Sequence, residues 1–77
     1  MALILSNKIT KINKNSRVQK VTECTYNVFN ANERKYIQFD TYGTSERKSE
    51  SKSSQTIQFD KETAKYIIEI LQNEFDL

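Results

Sequence analysis

Hydrophobic and polar positions begin to alternate near the end of the first third of the chain. Between Val18 and Phe29, Cys24, Tyr26 and Val28 fall on one side and Glu23, Thr25 and Asn27 on the other. A period of two predicts a half-buried β-strand. Asn30-Ala31-Asn32-Glu33 then supplies turn chemistry, because Asn tolerates left-handed backbone. Lys35 to Tyr42 predicts a second strand, with Ile37 and Phe39 on one face and Tyr36, Gln38, Asp40 and Tyr42 on the other. Gly43, the only glycine, ends it, with a positive φ available to turn the chain. Residues 44–54 carry no apolar side chain and predict a solvated loop. A third strand, Gln55 to Phe59, turns Ile57 and Phe59 inward, and Ala2-Leu3-Ile4-Leu5 leaves room for a short extra strand.

The period then changes to that of a helix. Asp60 is a good N-cap, Phe59 before it can staple onto Ala64, and Glu62 suits the positive end of the helix dipole. Ala64, Ile67, Ile68, Leu71 and Phe75 form one apolar stripe, flanked by Tyr66 and Ile70. The stripe is expected to pack across the face that carries Ile37, Phe39, Ile57 and Phe59. The predicted class is α+β: a small antiparallel sheet of three to four strands followed by one C-terminal amphipathic helix packed on one face. Residues 1–20 read as a basic arm, with an optional strand at 2–5, and residues 21–77 as a single β-β-β-α domain.

Composition narrows the chemistry. A 77-residue chain buries only about 60% of its unfolded surface, so small scaffolds of this kind lean on disulfides, a metal or a partner. One cysteine and no histidine exclude an internal disulfide and a four-ligand zinc site. A homodimer, or docking on a partner chain, is the expected supplement. Cys24, mid-strand among apolar neighbours, reads as a small, inert core residue. No apolar run approaches the ~20 residues that span a membrane, and a reduced, cytoplasmic setting is expected. One glycine cannot build a phosphate loop, and without histidine the loop hydroxyls lack a general base. Neither enzymatic activity nor a cofactor is expected.

Ile-Gln-Phe-Asp occurs twice, at 37–40 and 57–60. The repeat raises the question of an Asp40/Asp60 carboxylate pair. A hairpin that aligns the apolar residues leaves the two acids on the order of 10 Å or more apart, too far to share a proton or a metal. The repeat then expresses two strands solving one packing problem.

The net charge of +2 hides an asymmetry. Residues 1–22 carry five bases and no acid, whereas residues 23–77 carry seven bases and ten acids. Lys8, Lys11, Lys14, Arg17 and Lys20 recur every third position, a spacing that lets an extended arm follow a phosphate backbone. The alternative is a solvated leader. Ile9 and Ile12 add an apolar edge to that segment. On the polar sheet face, Tyr36 and Tyr42 stand among Gln38, Thr56 and Gln58, with Phe29 close by. Aromatics on an open polar sheet suit base stacking; their other role is to cover a sheet edge or an interface between chains.

The strand-then-helix order with a basic loop before the last strand resembles the PC4-like single-stranded-DNA-binding coactivator fold over residues 20–77. That resemblance implies paired chains presenting sheets to DNA, although this chain is one strand short unless Ala2–Leu5 supplies it. Residues 24–75 also resemble short bacterial and phage proteins through three stretches: Thr25-Tyr26-Asn27-Val28-Phe29, YIQFDTYGTSERK from Tyr36 to Lys48, and SQTIQFD from Ser54 to Asp60. Some of those relatives are labelled methionyl-tRNA formyltransferase, an activity that a chain this short without histidine does not support. Within the second stretch, Thr44, Ser45 and Arg47 read as a polar lip. The leading expectation is a single-stranded nucleic-acid-binding module, in which Tyr36 and Tyr42 stack bases and Lys8, Lys11, Lys14, Arg17, Arg47 and Lys48 hold phosphates. The rival is a protein-interaction module, such as a phage-encoded inhibitor or an accessory subunit of a defence or regulatory complex. It would use a sheet edge or the Tyr66 and Ile70 side of the helix.

Overall fold

The computed structural model describes residues 1–43 and 54–77. A four-stranded sheet and one helix make up the fold: β1 (Ala2–Ile4), a 3-10 turn (Ser6–Lys8), β2 (Cys24–Ala31), β3 (Arg34–Thr41), β4 (Gln55–Asp60) and α1 (Lys61–Phe75). Strand order across the sheet is β1-β4-β3-β2. The β2/β3 and β3/β4 pairs are antiparallel, while β1 joins β4 in parallel with Ala2 opposite Ile57. The sheet is therefore mixed but mostly antiparallel, and the apolar segment at 2–5 does contribute a strand.

Local chemistry explains each junction. Ala31 pairs with Arg34, so β2 and β3 are joined by a two-residue turn at Asn32 and Glu33, both at positive φ (53° and 64°). Two consecutive left-handed residues match the strand twist, and Asn occupies the first of these positions easily. The turn is thus tighter, and sits later, than Asn30–Glu33 suggested. Gly43 does not take a positive φ; β3 ends at Thr41, whose carbonyl accepts the Ser54 N–H at 2.7 Å. Asp60 caps α1 by accepting the Thr63 N–H at 3.0 Å. At the other end Asp76 adopts the left-handed conformation, and the Leu77 N–H returns to the Gln72 carbonyl at 3.1 Å.

Register divides the sheet into two faces, because side chains alternate along each strand. Tyr26 lies opposite Phe39, Val28 opposite Ile37, Phe39 opposite Ile57, Ile37 opposite Phe59 and Ile4 opposite Phe59. All of these share one apolar face, on which the Tyr26–Phe39 and Phe39–Phe59 ring centroids are each 5.9 Å apart. The opposite face carries Leu3, Phe29, Tyr36, Gln38, Asp40, Thr56 and Gln58, and Tyr42 joins it through Thr25.

The helix does not close over the apolar face as its stripe implied. It touches β4 and the 3-10 turn, and Ala64 in its first turn meets Val28, Ile37 and Phe59. Farther along, Ile68, Leu71 and Phe75 stay exposed. Tyr66 and Ile70 line an open cleft of about 530 Å³ with Ile9 and Ile12 of the N-terminal segment, so neither the outer stripe nor its flank is fully covered within the chain. Among the described residues no hydrophobic side chain is buried; Thr63, beneath the N-cap, is fully buried. Cys24 is likewise exposed and not a core residue, because it opens the edge strand on the uncovered face. No helix among the described residues is long and apolar enough to cross a membrane.

Candidate nucleic-acid interface

The polar face is organised by a ladder of side-chain hydrogen bonds across β3 and β4. The Gln58 amide donates to the Gln38 carbonyl oxygen at 2.8 Å, and the Gln38 amide donates to Asp40 at 3.0 Å. The Thr56 hydroxyl donates to the other Asp40 oxygen at 2.5 Å. Short side chains that alternate toward one face and meet in register make such a ladder possible, and it fixes their orientation. Beside it, Phe29 and Tyr36 stack across strands with centroids 5.6 Å apart and planes 24° from parallel. Tyr42 shares a 3.0 Å hydrogen bond between its hydroxyl and that of Thr25. At the hairpin end, the Arg34 guanidinium stands 3.9 Å from Asp60.

The two aspartates do not form a pair. Asp40 lies opposite Thr56, and Asp60 lies opposite Tyr36. Four residues along an extended strand therefore separate them, roughly 14 Å. Their carboxyls are both held below the ordinary carboxylate range. For Asp40 the cause is first the Thr56 hydroxyl and then the Gln38 amide; for Asp60 it is first the Thr63 backbone N–H. Both groups bind protons less readily in the folded chain than in the unfolded one. Their stabilisation is therefore complete above the unfolded value near 3.9 and is lost as pH falls through the folded values. Thermal midpoints are expected to be level between pH 7 and pH 5 and to drop below about pH 4. The drop should be shallower in an Asp40→Asn, Asp60→Asn variant. Parallel curves for the variant and the parent would show that other groups govern acid unfolding.

The basic positions separate into different surroundings. Lys8 belongs to the 3-10 turn. Lys11 pairs with Glu74 near the end of α1 at 3.0 Å, with both side chains largely exposed, so the pair contributes little stability. Lys14 lies in the exposed stretch between the 3-10 turn and β2. Arg17 reaches the foot of the sheet, where it lines a cleft of about 360 Å³ together with Lys20, Thr22, Tyr42, Gly43 and Ser54. The Thr22 hydroxyl donates to the Tyr42 carbonyl there, and the Tyr42 N–H bonds to the Glu23 carbonyl at 3.3 Å. These contacts seat the end of the arm beside the second tyrosine. Thr44, Ser45, Arg47 and Lys48 lie outside the described residues.

Tyr36 and Tyr42 thus share the polar face with Phe29, as their alternation implied, and Arg17 joins Tyr42 at one end. Lys8 and Lys11 are held near the helix instead. Sequence reasoning left Lys20 and Thr25 out of the site. The three-residue ladder of bases contained the signal for Lys20, whereas the Thr25 contact depends on the β2/β3 register. No cluster of three or more metal-ligating side chains occurs among the described residues. The chain matches no protein-family model, no curated protein and no solved structure.

Proposed function

We propose that this protein binds single-stranded nucleic acid across the polar face of its sheet, without catalysing a reaction. One observation carries the reading: three aromatic rings, Phe29, Tyr36 and Tyr42, share a face made mainly of hydrogen-bonding amides and hydroxyls. The three rings are half-buried; every base has a π-face, so the ring surface they leave open can hold successive bases with little sequence preference. Arg17 and Lys20 beside Tyr42, with Lys14 in the arm, supply cations for phosphates, and Lys8 and Lys11 extend the basic track toward the helix. Asp40, kept ionised at the Thr56 end of the ladder, repels phosphate. A bound strand would accordingly turn its bases inward and run its backbone along the basic margin.

The test is fluorescence anisotropy with short single-stranded DNA and RNA oligomers over a salt series, with duplex DNA as control. Micromolar or tighter binding that favours single strands and falls steeply with salt is expected. Absence of binding at low salt would retire the proposal. The protein-interaction reading is favoured by a different observation. β2 is an eight-residue edge strand, and such an edge can accept an extended peptide. The Tyr66 and Ile70 side of the helix, which borders an open cleft of about 530 Å³ against Ile9 and Ile12, is the other surface that reading would use.

A further inference from the structure

We infer that the hydrophobic core of this protein is built between two copies of the chain, with the apolar sheet face and the open stripe of α1 burying each other around a two-fold axis. This inference is independent of nucleic-acid binding. It begins from the side chains that drive folding. Tyr26 is 67% exposed, Ile68 53%, Leu71 42% and Phe75 69%, although their spacing marks them as the interior side of their elements. The open sheet surface formed by Cys24, Phe39, Ile57 and Phe59 has no helix residue over it. Nor does the exposed stripe carry a charge: Ala64, Ile67, Ile68, Leu71 and Phe75 are all apolar. A surface meant for water would not omit charged side chains over about three helical turns.

Area argues for a second copy as the occupant. The chain exposes 7020 Å² at a mass of 9.0 kDa, whereas a compact monomer of that mass exposes roughly 4,900 Å². The excess is about 2,100 Å² per chain, part of it due to the extended arm. If only half of it is recovered, two chains bury about 2,000 Å² in total, the lower bound for obligate homodimers. The shapes match as well. A 15-residue helix is about 22 Å long, and an eight-residue strand about 27 Å. A chain that presents both an uncovered sheet and an unused helix stripe is self-complementary, as an isologous pair requires. Because almost nothing among the described residues is buried in the single chain, association and folding are one event.

The experiment is sedimentation equilibrium of the full chain together with thermal melting over a hundredfold range of concentration. A mass of twice 9.0 kDa and a midpoint that rises with concentration are expected. A 9 kDa species whose cooperative midpoint ignores concentration would overturn the inference, as would a higher oligomer with no two-chain species. Phe75→Glu provides a second readout. At a solvent-facing site it would leave the melt unchanged, and that result also overturns the inference. In the paired arrangement the symmetry introduces the charge twice, and the dissociation constant should rise on the order of a hundredfold or more. Lys65→Glu, on the charged side of α1, should leave the dimer mass unaltered.

Discussion

Replacing Tyr36 and Tyr42 together by alanine is expected to weaken binding of a single-stranded oligonucleotide on the order of a hundredfold, with the protein still folded. Base–aromatic stacks contribute about 1–3 kcal/mol each, so two of them at the lower part of that range correspond to about 2.8 kcal/mol, or two decades of affinity. Neither ring is fully buried, and removing Tyr36 leaves Phe29 on the same face. The conservative pair Tyr36→Phe, Tyr42→Phe retains both ring faces and loses the hydroxyl contact to Thr25; it should bind within a few fold of the parent. Anisotropy titrations and a thermal melt of each variant decide the matter. A folded alanine variant with parental affinity would remove stacking from the mechanism. An unfolded one would reassign both rings to the architecture.

The second large effect concerns the arm, and the structure dictates how to probe it. Deleting residues 1–20 would remove β1 and the 3-10 turn on α1 along with the charges, so lost binding would be confounded with lost folding. Neutralising Lys14, Arg17 and Lys20 with glutamine avoids that problem. If each holds one phosphate, the slope of log K against log salt should become shallower by about 2, since each contact to a single strand contributes roughly 0.7. The two proteins would then converge near 1 M salt and differ on the order of a hundredfold at 0.1 M. An unchanged slope would show that the arm does not follow the backbone. Lys11 is left in place because its ammonium already lies against Glu74.

Alternation and capping made most of the architecture legible. The period of two set Ile37, Phe39, Ile57 and Phe59 on one face of paired strands, and Asp60 followed by Glu62 marked the helix start. Which face the helix meets was legible, but how far along that face it closes was not, because an apolar stripe states that a helix has an interior side without saying how much of it is covered. The same reasoning misplaced Cys24: its strand pattern was read correctly, but the strand lies at an edge and its face is uncovered. The parallel direction of β1 was hidden by its three-residue length, too short for a pattern. In the candidate site, Tyr36 and Tyr42 followed from the period of two. The pairing of Lys11 with Glu74 and the meeting of Arg17 with Tyr42 join positions far apart along the chain, and local spacing carries no information about them.

The duplicated tetrapeptide has a consequence for directionality. Gln38 lies opposite Gln58, with Ile37 across from Phe59 and Phe39 across from Ile57, so Ile-Gln-Phe pairs with its own reverse. The middle of the sheet is therefore a palindrome about the glutamine pair. Its apolar members face away from the Phe29 and Tyr36 rings, so on the polar face only the two glutamines repeat. Only the ends break that equivalence: Asp40 closes the side-chain ladder with Thr56, while its counterpart Asp60 turns the chain into the helix and faces Arg34. On the proposed binding face Tyr36 therefore stands toward one end and Asp40 toward the other, and a bound strand would meet a different order of groups in each direction.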